Sequence, residues 1–110
     1  MQGVSKMIVF GSEFVPYDEV VLEDFSGYSL QKKPDFLRVK SKKEAIFANA
    51  NGVKFIVCDN LNFARQLQAL ANDYIFDSKI AVLICDDFEL EAAIDARIDA
   101  SIYKSVIRGF

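Results

Sequence analysis

Two stretches of this chain contain an apolar run that ends in a cysteine and an aspartate, and a segment with helical spacing follows each. They are FIVCDN at 55–60 and VLICDD at 82–87. Apolar runs without polar alternation are typical of parallel strands covered on both faces. Ligands of open α/β sheets bind beyond the carboxyl ends of the strands. The residues at those predicted ends are therefore candidate ligand contacts: Gly11, Ser12, Glu13, Asp59, Asn60, Asp86, Asp87 and Lys104.

The chemistry of this set suits a phosphate or a metal-bound phosphate. Carboxylates hold Mg²⁺, and a lysine ammonium neutralises phosphate oxygens. Asp59, Asn60 and Asp86 have a simpler alternative role as helix N-caps, which Asp and Asn commonly supply after a strand. The sequence identifies no catalytic residue, metal ligand set or cofactor. The candidate cofactor-binding residues are Gly11, Ser12, Asp59, Asn60, Asp86 and Lys104.

The absence of histidine narrows the possible chemistry. The chain contains no histidine, which removes the usual general base near neutral pH, the Ser-His and Cys-His nucleophile pairs and the common zinc site. Cys58 and Cys85 fall in apolar runs, so we expect buried packing thiols rather than a redox pair. A role without catalysis is therefore favoured over an enzyme.

The predicted fold is a single three-layer Rossmann-like or flavodoxin-like α/β domain with a mainly parallel five-stranded sheet. The 110 residues suffice for one such domain. The predicted strands are 7–10, which we expect to be central, a near-edge strand at 36–40, then 53–58, 80–85 and 101–107. The predicted helices are 16–26, 41 to about 52 with a Ser41/Glu44 capping box, 61–74, and a fourth that carries Leu90, Ala93, Ile94 and Ile98 toward the core.

Charge and hydropathy restrict the partners. The net charge of −3 gives no general attraction to nucleic acid. No apolar run approaches the roughly 20 residues of a membrane span, so we expect a cytoplasmic protein without membrane insertion. Basic residues cluster between 32 and 43 and acids between 86 and 99. Opposite patches of this kind suit solvated faces, a phosphate site or contacts between subunits.

From residue 53 to 109 the chain resembles the second half of the TrkA-N or RCK domain, a Rossmann-type nucleotide-sensing module of potassium channel and transporter regulators. The resemblance rests on the order and spacing of CDNLN (58–62), an Ala- and Leu-rich helix (64–71), a second strand (80–86), a short acidic helix (89–97) and IDASIY (98–103). It implies a nucleotide as ligand. The first half lacks the family's glycine fingerprint, because Glu13 and Pro16 stand where glycines are needed.

A second resemblance is to response-regulator receiver domains. It implies Asp59 as phosphoacceptor, Glu13 as a metal-binding acid and Lys104 as the lysine that contacts the phosphoryl group. The first strand lacks the acid pair of that family, and Cys85 stands where a hydroxyl residue is expected.

The most favoured function is therefore a non-catalytic regulatory or protein-interaction module, a degenerate TrkA-N/RCK-like domain that associates with itself or with an adjoining domain. A chain ending on its fifth strand lacks a covering helix, and the uncovered apolar surface predicts this association. The alternative is a domain that senses a nucleotide or phosphate, and the third possibility is a receiver-like domain phosphorylated on Asp59. The sensing alternative uses Ser12, Lys40, Lys42 and Lys104, with Asp59 and Asp86 toward a ribose or a metal.

Overall fold

The protein is an α/β domain built on a single parallel sheet flanked by helices. The structure, a computed structural model, describes residues 7–12 and 19–108. The strands are β1 (Ile8–Phe10), β2 (Leu22–Asp24), β3 (Phe36–Arg38), β4 (Phe55–Cys58), β5 (Lys79–Ile84) and β6 (Ala100–Tyr103). The helices are α1 (Gly27–Lys32), α2 (Lys42–Ala50), α3 (Leu61–Tyr74) and α4 (Asp87–Asp95), with a 3₁₀ helix at Lys104–Val106.

The predicted α/β class with a parallel sheet is confirmed, and it is consistent with a Rossmann-like or flavodoxin-like fold. The sheet has six strands in the order β1-β6-β5-β4-β3-β2, and every neighbouring pair is parallel. The predicted count of five is wrong because β2 lies inside the segment predicted as the helix 16–26. Residues 16–18 of that predicted helix lie outside the described residues.

The first helix begins where the sequence predicted one to end. Ser26 is the N-cap of α1, and its hydroxyl oxygen accepts from the Ser29 amide at 3.0 Å. Just before it, the Phe25 amide donates to the Arg38 carbonyl at 3.0 Å, which continues the pairing of β2 with β3. The sequence alone does not distinguish a helix from a strand over this segment, because the apolar residues Val20, Val21 and Phe25 fit the spacing of either element.

Several predicted boundaries shift at the chain ends and at α4. β1 lies at one end of the strand order beside β6, so its predicted central position is wrong. The last predicted strand stops at Tyr103 and turns into the 3₁₀ helix. α4 ends at Asp95, which leaves Ile98 buried beyond the helix and Ile94 half exposed.

The capping box of α2 forms with one difference. The Ser41 hydroxyl oxygen accepts from the Glu44 amide at 3.1 Å, and the Glu44 carboxylate accepts from the Lys40 amide at 2.8 Å. The prediction had Glu44 bind the amide of Ser41 itself. In both arrangements amides at the helix start that lack a helical partner are satisfied.

All four described α-helices pack on one face of the sheet. Residues at alternate positions along the strands form one core with the helices, and Leu37, Ile56, Ile80 and Leu67 are fully buried in it. The helices contribute small side chains at the contact, such as Ala45, Ala48, Ala64 and Ala93, and small side chains let the helices approach the sheet closely.

The opposite face of the sheet is buried by the curl of the sheet itself. The Phe10 ring of β1 lies 5.2 Å from the Phe36 ring of β3 and 5.3 Å from the Phe55 ring of β4. β1 and β3 are four strand spacings apart in the sheet order, which is roughly 19 Å in a flat sheet. The sheet therefore curls strongly and encloses a second apolar core to which no described α-helix contributes.

A short backbone seam joins the β2 end of the curled sheet to the segment that follows the 3₁₀ helix. Val20, just before β2, forms a parallel bridge with Ile107, just after the 3₁₀ helix. The Val20 amide donates to the Val106 carbonyl at 2.9 Å, and the Arg108 amide donates to the Val20 carbonyl at 2.9 Å. Val20, Val106 and Ile107 are buried, so the face that was expected to stay uncovered is closed by the chain's own last described residues.

A polar network links α3 to the start of the last two strands. The Asp99 carboxylate accepts from the Ile80 amide at 3.0 Å and from the Gln68 side-chain nitrogen at 3.2 Å. In return, the side-chain oxygen of Gln68 accepts from the Asp99 amide at 3.0 Å. Gln68 is buried, and its polar atoms are satisfied as burial requires. Asp99, part of the segment that resembles TrkA-N domains, therefore has a structural role here.

Candidate functional site

A cleft opens at the carboxyl edge of the sheet, where β4, β5 and β6 end. Its volume is about 240 Å³, and α3 and α4 form its walls above the end of β5. Three of the six candidate residues line it, namely Asp59, Asn60 and Lys104. The rule that places ligands beyond the carboxyl ends of parallel strands therefore points to the same edge as the structure.

On the α3 wall, Asn60 and Asp59 have different roles. Asn60 is the N-cap of α3, and its side-chain oxygen accepts from the Phe63 amide at 2.8 Å. The helix-cap role predicted for Asn60 is therefore confirmed. Asp59 caps no helix; its carboxylate faces the Arg38 guanidinium, with Nη1 3.4 Å from Oδ1.

Arg38 joins the carboxyl ends of three neighbouring strands. Its Nε donates to the Asp24 carboxylate at 2.7 Å, and its Nη1 lies near Asp59. The hydrogen bond from Arg38 lowers the pKa of Asp24, and the same bond raises the pKa of Arg38. Sequence reasoning placed Arg38 on the outer side of a near-edge strand and missed this cluster. The signal that could have indicated this cluster is a polar residue at the end of one strand that lies between two other strands ending in acids.

On the α4 wall, Asp86 caps the helix, and Phe88 and Glu89 line the cleft. The Asp86 carboxylate accepts from the Glu89 amide at 2.9 Å, as the cap prediction required. The Glu89 carboxylate accepts from the Cys85 amide at 2.6 Å. Phe88 lines the cleft and is 84% exposed. An apolar ring this exposed at the rim of a cleft is available to a ligand.

The segment after β6 contributes a cation to the cleft. Lys104 lines the cleft and forms no ion pair with the residues that the structure describes. Next to it, the buried Tyr103 hydroxyl donates to the Asp87 carboxylate, which ties the start of α4 to the end of β6. This hydrogen bond therefore attaches the residue before Lys104 to the start of α4.

Gly11, Ser12 and the basic residues 40 and 42 do not line the cleft. Gly11 has φ +96°, and a Cβ placed there would lie 2.7 Å from Val106 Cγ1, so its role is close packing against the 3₁₀ helix. Ser12 follows it and is partly buried. Glu13, the acid implied by the receiver resemblance, lies outside the described residues. The structure thus places some of the predicted site residues in the cleft and others outside it.

The two cysteines lie in different environments. Cys58 is fully buried, and burial raises the pKa of its thiol to about 12. Cys85 is exposed, so its predicted burial is wrong, because β5 ends one residue earlier. The register pairs Cys58 with Val82, and Cys85 follows Val82 by three residues, beyond the end of β5. The two cysteines are therefore not paired across the sheet.

The fold and the cleft define an α/β domain with a small opening at the carboxyl edge of a parallel sheet, lined by apolar side chains and four polar ones. Comparison with family models, curated proteins and solved structures finds no match for the chain. Within residues 7–12 and 19–108, no group of three acids or cysteines is arranged to hold a metal ion. None of the helices in those ranges is long and apolar enough to cross a membrane.

Proposed function

We propose that this chain is a non-catalytic regulatory module whose cleft binds a small phosphorylated ligand. The observation that carries the proposal is Lys104, an ammonium group without an ion pair among the described residues, lining the same cleft as the N-terminus of α3. Helix N-termini present amides without helical partners and a positive dipole end, which favour anions. A lysine that lines the same cleft as such an end adds a second positive group for a phosphate.

The two acids that line the cleft, Asp59 and Glu89, have different partners. The Asp59 carboxylate faces the Arg38 guanidinium at 3.4 Å, and the Glu89 carboxylate accepts from a backbone amide. Arg38 therefore offsets part of the repulsion between Asp59 and a phosphate, whereas Glu89 keeps its charge. Asp59 is half exposed, and a carboxylate at this position suits the hydroxyls of a ribose. Phe88 offers a face on which a base can stack.

If the cleft binds a phosphorylated ligand, the ligand should stabilise the folded chain, and replacing a cleft residue should reduce that stabilisation. AMP, ADP and inorganic phosphate are tested by thermal shift and calorimetry with the full chain. We expect Lys104→Ala to weaken AMP binding by roughly 10- to 100-fold, the effect of losing a charge-assisted hydrogen bond. Phe88→Ala should weaken AMP but leave inorganic phosphate unchanged.

Two matched lysines control for a general charge effect. Lys43→Ala, on the exposed side of α2, should not change binding. Lys42→Ala tests the alternative set of basic residues, which does not line the cleft. Stabilisation that survives Lys104→Ala, or the absence of any response to the three compounds, would contradict the cleft proposal.

Kinship with TrkA-N/RCK domains is a proposal for the second half of the chain only. β4, β5 and β6 are neighbours in sequence order, as in the second half of a doubly wound dinucleotide-binding sheet. β1 lies beside β6 instead of beside the first strand of that half. The support for the kinship therefore ends at β4.

Self-association is a second candidate function, favoured by an apolar tip at the end of α3. Tyr74 is 70% exposed, and Ile75 is 85% exposed with φ +52°. A β-branched residue in the left-handed region is strained, and such strain is found where function retains it. The tip presents two large apolar side chains to a second copy.

Replacing Ile75 distinguishes the backbone strain at this position from its role in self-association. Ile75→Gly should stabilise the monomer by roughly 1–2 kcal/mol, because glycine accepts the left-handed conformation without strain. If the tip forms an interface, the same variant should weaken self-association measured by sedimentation equilibrium. Ile94→Gly, at a half-exposed position on α4, is the control and should destabilise the helix without changing the association. A concentration-independent mass for the unmodified chain would contradict this candidate.

A further inference from the structure

A second cavity opens at the opposite, amino edge of the sheet. Its volume is about 450 Å³, which falls within the roughly 300–1,000 Å³ of small-molecule sites, whereas the carboxyl-edge cleft is smaller. Phe10, Phe36 and Phe55 lie inside it, and Glu19, Asp35 and Lys54 line it as well. Ligand sites combine an apolar lining with a few polar groups in this way.

Three phenylalanine rings form an aromatic cluster in the lining of the cavity. The Phe36 and Phe55 rings are stacked, with centroids 5.0 Å apart and planes 10° from parallel. The Phe10 ring stands edge-on to both, at 84° and 88°. The rings come from β1, β3 and β4, so the curl of the sheet forms the cluster. The cluster gives the cavity an apolar wall that suits a ring or a branched alkyl group.

Two opposite charges border the cavity without neutralising each other. Asp35 and Lys54 directly precede Phe36 and Phe55, which are register partners on adjacent strands. Both charged residues are exposed, and neither side chain forms an ion pair with a residue of the described ranges. The Lys54 ammonium lies 5.9 Å from the centroid of the Phe55 ring. Glu19, by contrast, has Arg108 at 3.8 Å.

We propose that this cavity binds a small zwitterion with an apolar body, namely an α-amino acid with an aromatic or branched side chain. The apolar side chain packs against the three rings, the ligand ammonium binds Asp35, and the ligand carboxylate binds Lys54. Each lining group then has a complementary part of the ligand. The site is separate from the carboxyl-edge cleft and does not depend on its function.

Calorimetry with a set of matched compounds tests the proposal. L-Phenylalanine and L-leucine are compared with phenethylamine, which lacks the carboxylate, with 3-phenylpropionate, which lacks the ammonium, and with glycine, which lacks the apolar body. We expect both complete amino acids to bind at millimolar concentrations and each incomplete compound to bind at least about tenfold more weakly.

Variants at the rim locate the site without endangering the fold. Asp35→Asn and Lys54→Met change exposed side chains, and each should weaken L-phenylalanine binding by roughly 10- to 100-fold. Lys104→Ala should leave it unchanged, which distinguishes this site from the cleft. The proposal is overturned if neither amino acid binds, if an incomplete compound binds as well as L-phenylalanine, or if both rim variants bind normally.

Discussion

Replacement of Gly11 by alanine is expected to lower the free energy of unfolding by roughly 2–5 kcal/mol. Two costs combine in this expectation. Gly11 has φ +96°, and a Cβ in a left-handed conformation costs about 1–2 kcal/mol. The added methyl group would also meet Val106 Cγ1 at 2.7 Å and Tyr103 Cβ at 3.1 Å, and overpacking of this kind costs about 1–3 kcal/mol.

Two other glycines separate these costs. Gly52 has φ +79° but no atom within 4 Å of an added Cβ, so Gly52→Ala should show the conformational cost alone, about 1–2 kcal/mol. Gly27 lies outside the left-handed region, and an added Cβ would have no neighbour within 4 Å, so Gly27→Ala should leave stability nearly unchanged. Denaturant unfolding of the three variants measures the differences.

A second-site change tests the contact with Val106 directly. In a Gly11→Ala chain, Val106→Ala removes the two methyl groups nearest to the added Cβ. The double variant should then be more stable than the sum of the two single effects predicts, a positive coupling that a double-mutant cycle measures. Equal effects of Gly11→Ala and Gly52→Ala would contradict the packing argument.

The second half of the fold was predictable because its signals are local and agree with each other. FIVC at 55–58 is an uninterrupted apolar run, and a capping asparagine and a 14-residue helix with a regular apolar stripe follow it. Strand and helix patterns of this strength identify their elements without tertiary information. β5 and α4 repeat the arrangement, with Asp86 as the cap.

The first half was less predictable because tertiary pairing decides its structure. β1 and β3 were predicted as strands, but β2 is only three residues long and lies in a segment whose apolar residues also fit helical spacing. Residues 22–24 form a strand because they pair with 36–38, a contact that the sequence does not reveal. The position of β1 at the sheet end likewise depends on the curl.

Half of the candidate site could be predicted from the sequence. Asp59, Asn60 and Lys104 share a cleft because parallel strands end at one edge, a rule that needs only the order of the elements. Arg38 was missed because it was counted among the basic residues of the segment 32–43, and Phe88 because an exposed aromatic in the first turn of a helix gives no sequence signal of a cleft. Gly11 was included because it follows the first predicted strand, and its importance lies in packing instead.

Replacement of Val106 by aspartate is expected to cost more than about 4 kcal/mol, a large part of the roughly 5–15 kcal/mol that stabilises a typical domain. Val106 is buried against the second core, and a carboxylate there has no described partner. Ser105→Asp, at the neighbouring exposed position, is the matched control and should leave unfolding by circular dichroism unchanged.

The seam also predicts a milder variant that remains folded. Val106→Ala removes two methyl groups and should cost roughly 2 kcal/mol, from about 0.8 kcal/mol for each buried methylene plus a cavity cost. Hydrogen exchange should then quicken at the Val20 and Arg108 amides, which form the seam, before it quickens at β4 and β5. Uniform acceleration across all strands would mean that the seam is no weaker than the rest of the sheet. Faster exchange confined to the seam would show that the curled sheet opens between β2 and the chain's last described residues, the point where its closure rests on a single bridge.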